Sequence, residues 1–195
     1  DLRFLEDRSK WYFENTDYAM IGNFGGAAFS NIAYVPGPHL AYPKGIRDPE
    51  EWLVSMVMRK DYIRAIHHYQ FEIQMENLKL YKQAVGDRID IIYMSGTDFG
   101  AQKGPFISPD LYRELFKPFH KEMNDWVHQN TGWRTFYHSC GSVIEFLSDF
   151  ADAGFDILNP VQLSATGMDP PFLKKTYGSD FVFWGGGIDT QHTLP

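Results

Sequence analysis

Short apolar segments alternate with longer segments of helical pattern along the whole chain. Five apolar segments have the length of strands, and they cover residues 18–24, 89–95, 133–138, 155–159 and 181–185. Most of them are continuous apolar runs, which is the pattern of parallel strands covered by helices. The chain therefore predicts an α/β fold in which strands and helices follow each other in regular order.

The segments between the strands carry the signals that begin and end helices. Helical pattern covers residues 1–15, 48–85, 108–130, 141–153 and 169–177. Asp48-Pro49 and Ser108-Pro109 each place a capping side chain before a proline in the first turn. Gly86 and Gly154 end the helices that precede them. The long stretch over 48–85 fits one helix or two helices in sequence.

Two architectures have this order of elements, an open doubly wound sheet and a barrel. No glycine-rich phosphate fingerprint follows the first strand, and polar residues end nearly every strand, as in barrels whose functional side chains converge on one face. We predict a (β/α)₈ TIM barrel, incomplete, with about five strand–helix units in a single domain over 1–195. The first residue is Asp1 and no helix closes the chain after the last strand, so we expect a longer protein.

Composition excludes several classes of partner. The net charge of −7 argues against nucleic acid or an anionic membrane as a partner. No apolar run reaches the roughly 20 residues that span a bilayer. A single cysteine, Cys140, excludes an intrachain disulfide and fits a cytoplasmic location. The aromatic share of 16% indicates a core or a pocket lined by rings.

The tripeptide His138-Ser139-Cys140 closes the third predicted strand. Residues two apart in a strand point to the same side, so His138 and Cys140 face one pocket. Imidazole nitrogen and thiolate sulfur are ligands of zinc, but two ligands do not complete a site. The alternative is a buried thiol beside a hydrogen-bonded histidine.

Two loops after strands carry further candidates. Asp98 follows the second strand, and it would bind a cation, accept a proton or orient a histidine, unless it only caps a turn. Gln102 lies in the same loop. Gly186 lies in a triple-glycine segment that exposes backbone N–H groups to a ligand or only forms a tight turn. Asp189 follows that segment.

The remaining candidates lie after the first and fourth strands. Phe24, Gly25 and Tyr34 belong to a long loop whose aromatic side chains would wall a flat ligand, since loops of this length are more often functional than idle. The amides of Asn159 and Gln162 are placed to bind a carboxylate or carbonyl. The alternative for both amides is hydrogen bonding within the loop.

Together, these motifs resemble the uroporphyrinogen decarboxylase superfamily over about residues 17–195. The matching segments are Gly96-Thr97-Asp98-Phe99-Gly100-Ala101-Gln102, Gly104-Pro105-Phe106-Ile107-Ser108-Pro109, Tyr137-His138-Ser139-Cys140-Gly141, Asp156-Ile157-Leu158-Asn159-Pro160-Val161-Gln162 and Trp184-Gly185-Gly186-Gly187-Ile188-Asp189. The resemblance implies the central and later part of a (β/α)₈ barrel. It also implies one of two activities.

One activity is the cofactor-free decarboxylation of uroporphyrinogen in porphyrin and haem synthesis, in which a tyrosine corresponding to Tyr34 lies near a substrate carboxylate. The other is zinc-dependent methyl transfer between a corrinoid, carried by a partner protein, and a thiol such as coenzyme M. In the methyltransferases a pair matching His138 and Cys140 holds zinc with a downstream cysteine, which would lie beyond Pro195.

The leading interpretation is the methyltransferase, because the decarboxylases lack that pair. In this interpretation Asp98 orients His138 through its second ring nitrogen. The catalytic candidates are Asp98 and, from the match to the decarboxylases, Tyr34, and the substrate is a small-molecule thiol or a tetrapyrrole. A third interpretation is a non-catalytic barrel that only binds a tetrapyrrole or a partner.

Overall fold

A computed structural model describes residues 1–25, 46, 48–189 and 191–193 of the chain. The helices are α1 (Leu2–Asn15), α2 (Pro49–Met58), α3 (Lys60–Val85), α4 (Pro109–Leu115), α5 (Lys117–Asn130), α6 (Leu147–Asp152) and α7 (Pro170–Tyr177), with a 3₁₀ turn at Ile144–Phe146. The strands are β1 (Ile21–Gly22), β2 (Ile91–Ser95), β3 (Arg134–His138), β4 (Ile157–Asn159) and β5 (Val182–Phe183).

The five strands form one parallel sheet in the order β1-β2-β3-β4-β5. Each strand lies inside the segment predicted for it, so the predicted α/β fold with alternating strands and helices is confirmed. The described strands follow sequence order, without the reversal that marks the switch point of a doubly wound sheet. Because the five strands are parallel, all their carboxyl ends lie at one edge of the sheet.

Two predicted helical segments are each divided in the structure. Residues 48–85 form α2 and α3, which are separated at Arg59. Residues 108–130 form α4 and α5, which are separated at Phe116, with Pro118 in the first turn of α5, where its missing N–H is tolerated. The predicted helix over 141–153 begins with a 3₁₀ turn. No helix in the described ranges is long and apolar enough to cross a membrane.

An aromatic cluster fills the space between the sheet and the helices that cover it. Phe99 lies with its ring centre 5.1 Å from that of Tyr112 and 4.9 Å from that of Phe116. Tyr137 stacks on Phe155 at 4.3 Å. Because side chains alternate along a strand, the inward position of Tyr137 places its neighbour His138 on the opposite face of the sheet.

Two histidines are buried in this helical layer. His67 of α3 is fully buried, and its Nδ1 donates to the carbonyl of Leu115 at 2.9 Å. This carbonyl lies at the end of α4, next to the break at Phe116. Burial lowers the pKa of His67 to about 4 and that of His120 to about 3. Both side chains are therefore neutral in the folded protein at pH 7.

We predict that folding stability falls as the pH drops below about 6.5, because only the unfolded chain protonates these two histidines there. The stability linked to His67 is complete above that pH and is lost progressively down to its folded pKa of about 4. At pH 5 the loss is on the order of 2 kcal/mol per histidine. Urea unfolding at pH 7.5 and pH 5 measures it.

The matched control is a pair of variants on one helix. His67→Asn keeps an amide donor near the carbonyl of Leu115 but removes the titrating ring, so it should lose less stability between the two pH values than the parent. His68→Asn changes an exposed ring and should behave as the parent does. An equal pH effect in both variants contradicts the prediction.

Candidate metal centre

Three ligand-type side chains converge at the carboxyl edge of the sheet. His138 is the last residue of β3, Cys140 lies two residues further on, and Asp98 lies in the loop after β2. The Sγ of Cys140 is 3.4 Å from Nε2 of His138, and Oδ1 of Asp98 is 3.9 Å from the same nitrogen. One ligand atom from each of the three residues lies within 4.8 Å of the other two.

The position of Asp98 is set by its neighbours in the chain and in space. Phe99, the next residue, is 2% exposed and is anchored in the aromatic cluster. Its backbone N–H donates to Oγ of Ser139 at 3.0 Å. Oδ1 of Asp98 then accepts the backbone N–H of Cys140 at 2.7 Å. The loops after β2 and β3 are thus joined at the site.

Two glycines allow these loops to meet backbone to backbone. Gly141 has φ of 82°, and a Cβ built there would lie 2.3 Å from the carbonyl oxygen of Gly100. A Cβ on Gly100 would lie 2.7 Å from the carbonyl oxygen of Cys140. Any larger residue at either position would push the loops apart and move Asp98 away from Cys140.

The second nitrogen of His138 contacts Asn159. Nδ1 of His138 lies 2.7 Å from Oδ1 of Asn159, at the end of the neighbouring strand β4. The sequence interpretation gave this contact to Asp98, whereas in the structure Asp98 faces Nε2. Nε2 of His138 is therefore the ring nitrogen directed at Asp98 and Cys140.

The donor set fits a zinc ion. With bonds of about 2.0–2.3 Å in a tetrahedron, neighbouring ligand atoms are separated by about 3.4–3.6 Å. The separations of 3.4 and 3.9 Å at His138 are close to this range. The sequence interpretation placed the third ligand outside this chain, and the structure offers the carboxylate of Asp98 in that role. Three protein ligands with an open fourth position are typical of catalytic zinc.

The same side chains resemble the Cys–His–Asn arrangement of a thiol nucleophile. Such a thiol has a lowered pKa. Burial, with the charge of Asp98 and a hydrogen bond to it, instead raises the pKa of Cys140 to about 11. Without a metal, Cys140 is therefore a protonated and weakly nucleophilic thiol, and the arrangement favours a ligand over a nucleophile.

A narrow, mainly apolar cleft adjoins the carboxylate of Asp98. It lies between α2 and the loop after β2, and it is lined by Trp52, Leu53, Met56, Thr97, Asp98, Phe99, Phe106, Ile107 and Phe116. The indole Nε1 of Trp52 is buried there without a hydrogen-bond acceptor among the described residues. The cleft provides an apolar wall on one side of the site.

Both predicted glutamines join loops near the site. Nε2 of Gln102 donates to the carbonyl of Ser164. Oε1 of Gln162 accepts the N–H of Gly141. These contacts connect the loops after β2, β3 and β4, so the two side chains stabilise the loop arrangement around the site. Their assignment to substrate stays a prediction.

The contacts of Phe24, Gly25, Gly186 and Asp189 are with residues other than the triad. Phe24 is buried in the core, and Gly25 donates its N–H to Asn23. Gly186, with φ of 83°, packs beside the carbonyl oxygen of Val161. Oδ1 of Asp189 accepts the N–H of Gln191 at 2.8 Å, which together with His192 lowers the pKa of this carboxyl. Tyr34 lies outside the described residues.

Sequence reasoning missed the roles of Ser139, Gly100 and Gly141. Ser139 and Gly141 flank the Cys140 position, and Gly100 follows Asp98 by two residues. The signal available in the sequence was the small size of Ser139 and Gly141 on both sides of Cys140, and of Gly100 in the loop that contains Asp98. Small residues at two such loops indicate that the loops approach each other closely.

No protein-family model matches the sequence, and no curated protein matches it. Among solved structures, a methyltransferase from Methanosarcina mazei matches with a TM-score of 0.54 and 18% sequence identity. The match covers 82% of this chain and 41% of that chain, so this chain spans about two fifths of that structure's length. The likeness shows a shared α/β fold of parallel strands and alternating helices.

We predict that Gly141→Ala destabilises the protein by more than about 2 kcal/mol, because it combines a left-handed backbone with a clash against Gly100. It should also weaken metal binding by separating Asp98 from Cys140. Gly104→Ala is the matched control, since a Cβ there has no neighbour within 4 Å. Denaturant unfolding compares the two variants, and equal stabilities contradict the close-approach argument.

We predict that metal-free Cys140 reacts slowly with iodoacetamide at pH 7.5, and that the rate rises as the pH approaches about 11. Asp98→Asn removes the negative charge that raises the pKa of this thiol, so it should speed the reaction at pH 7.5. Cys140→Ser, which leaves the chain without cysteine, measures the background. Rapid labelling of the parent at neutral pH would instead support a role for Cys140 as a nucleophile.

Proposed function

We propose that this chain is part of a zinc-dependent methyltransferase of the uroporphyrinogen decarboxylase superfamily, which moves a methyl group between a corrinoid and a thiol. The observation that carries the proposal is the convergence of His138, Cys140 and Asp98 at one edge of a parallel sheet. The fold likeness to the methyltransferase from Methanosarcina mazei supports the same class. The pair His138 and Cys140 also matches the zinc-ligand pattern of the superfamily's methyltransferases.

We further propose that the sheet is a segment of a (β/α)₈ barrel. Five parallel strands in sequential order, with helices between consecutive strands, are the arrangement of a barrel wall. Active sites of such barrels lie at the carboxyl ends of the strands, where His138 and Asn159 are the final residues of β3 and β4. The position of the triad supports the barrel and the catalytic role together.

In the proposed reaction a carbon–sulfur bond forms as the cobalt–carbon bond breaks. The electron pair of the broken bond stays on cobalt, and the proton of the thiol goes to solvent. Zinc in this site would lower the pKa of a substrate thiol and keep it as thiolate at neutral pH. The corrinoid would be presented by a partner protein.

The residues of this chain supply the metal ligands and the apolar wall of the site. His138 and Cys140 hold the metal, and Asp98 both fixes the backbone of Cys140 and offers a carboxylate as the third ligand. These side chains are accessible, with 33% of His138 and 28% of Asp98 exposed. The apolar cleft beside Asp98 limits the water around the reacting sulfur, which favours attack on an apolar methyl carbon.

The alternative function is uroporphyrinogen decarboxylation without metal. Its candidate residue Tyr34 lies outside the described residues, so our preference between the two functions rests on the contacts of Asp98, His138 and Cys140. A histidine and a cysteine converging with a carboxylate serve metal binding, whereas a cofactor-free decarboxylation has no use for a thiol. The non-catalytic barrel is the remaining alternative.

We predict one zinc ion per chain in the purified full-length protein, measured by elemental analysis. His138→Ala and Cys140→Ser should each lower the occupancy at least tenfold, because two remaining ligands do not hold zinc against dilution. His68→Ala removes an exposed histidine of α3 and is the control. Transfer from methylcobalamin to a small thiol, followed by the cobalt absorbance, should require the zinc.

Each other outcome contradicts a defined part of the proposal. Zinc-free protein that decarboxylates uroporphyrinogen establishes the alternative. Zinc-free protein without either activity supports the non-catalytic interpretation. Bound zinc that survives both substitutions places the metal elsewhere in the protein. If zinc is bound but no methyl group is transferred to any thiol, the proposed metal centre stands and the proposed methyltransferase activity is wrong.

A further inference from the structure

The amide of Asn159 lies between two strands, and both of its ends make hydrogen bonds. Its Oδ1 is 2.7 Å from Nδ1 of His138 on β3, and its Nδ2 donates to the carbonyl of Trp184 at 3.0 Å, just after β5. His138 and Asn159 are direct register partners in the parallel pairing of β3 with β4. A row of polar groups thus crosses three neighbouring strand ends.

The carbonyl of Trp184 determines which way this amide faces. A carbonyl oxygen only accepts hydrogen bonds, so the NH₂ group of Asn159 must be directed at it. The amide oxygen is then directed at His138 and only accepts. Nδ1 of His138 must therefore carry the proton, and in the neutral ring Nε2 keeps a free lone pair.

That lone pair is the one that metal binding needs. Nε2 of His138 is directed at Sγ of Cys140 and the carboxylate of Asp98. A neutral histidine without a fixed partner favours the opposite tautomer, with the proton on Nε2, which would block the ligand position. The carbonyl of Trp184 is itself held in place, because the N–H of Trp184 donates to the carbonyl of Leu158 at 2.9 Å.

We propose that Asn159 is a positioning residue, which selects the Nδ1-protonated tautomer of His138 and fixes its ring for metal binding. This inference rests on the proposed function of the site. It replaces the substrate contact predicted for Asn159 from the sequence with a structural contact to a metal ligand. Partners of this kind at metal-bound histidines typically contribute 10–100-fold in affinity or activity.

The neutral amide also matters for charge. Asp98 and a deprotonated Cys140 together carry two negative charges, which balance a divalent zinc ion. A carboxylate at position 159 would still accept from His138, but it would lose the hydrogen bond to the carbonyl of Trp184 and would add a third negative charge. Such a site would therefore still bind the metal, but the bound zinc would be a weaker Lewis acid toward a substrate thiol.

Three variants of the full-length protein test the proposal. Asn159→Leu removes both hydrogen bonds while keeping the branching and the number of side-chain heavy atoms, and it should weaken Co²⁺ and Zn²⁺ binding 10–100-fold in a chelator competition. Asn159→Asp, which keeps the acceptor for His138 and loses the donor to the carbonyl of Trp184, should bind both ions more tightly than Asn159→Leu does. Asn130→Leu removes an exposed amide that donates to the carbonyl of Trp126, far from the site, and is the control.

A second measurement uses the metal-free protein. Nitrogen-15 NMR of labelled histidine should place the neutral proton of His138 on Nδ1 in the parent and in Asn130→Leu. In Asn159→Leu it should move largely to Nε2. Thermal melts of the metal-free variants show whether the fold is retained, and a purely structural role for Asn159 would change the melt without changing the tautomer.

The outcomes separate this inference from the proposed function. If the parent binds metal and Asn159→Leu keeps the parent's affinity and tautomer, the positioning role is wrong and the metal centre stands. If the parent binds no metal but the tautomer shifts in Asn159→Leu, the proposed function is wrong and the contact stands. If Asn159→Asp keeps the proton of His138 on Nδ1 but binds the metal as weakly as Asn159→Leu does, the hydrogen bond to His138 is not what metal binding requires.

Discussion

The backbone contact between the loops after β2 and β3 is the constraint on which the candidate site depends. Gly100 and Gly141 pass each other at a distance that leaves no room for a side chain. Only this approach allows the carboxylate of Asp98 to accept the N–H of Cys140. Without it, His138 and Cys140 would still share one side of their strand, but the third ligand group would be missing.

The aromatic layer beneath the sheet makes that contact stable. Phe99 and Tyr137 are buried among the rings of the covering helices, and each is the direct neighbour of a site residue. Because successive side chains alternate in direction along a strand, burial of Tyr137 directs His138 toward the opposite face. Burial of Phe99 fixes the backbone next to Asp98. The apolar core therefore positions the polar site, and the polar contacts refine it.

The arrangement of His138, Cys140 and Asn159 is compatible with two chemistries, and the environment distinguishes them. A nucleophilic thiol needs a positive environment that stabilises its thiolate. Here the carboxylate of Asp98 and burial act in the opposite direction, and only a bound cation would reverse their effect. This electrostatic setting therefore favours a site that holds a metal at the edge of a parallel sheet.

The sequence by itself determined the local features of this protein. Apolar runs defined the five strands, proline and glycine defined several helix ends, and the spacing of His138 and Cys140 placed them on one side, because each of these depends on neighbours a few residues apart. The contact of Asp98 with Cys140 spans 42 positions, and that of His138 with Asn159 spans 21. Such contacts depend on strand register and on how closely loops pack. Only the tertiary structure therefore decided that Asp98 faces Nε2 of His138 and that Asn159 contacts Nδ1.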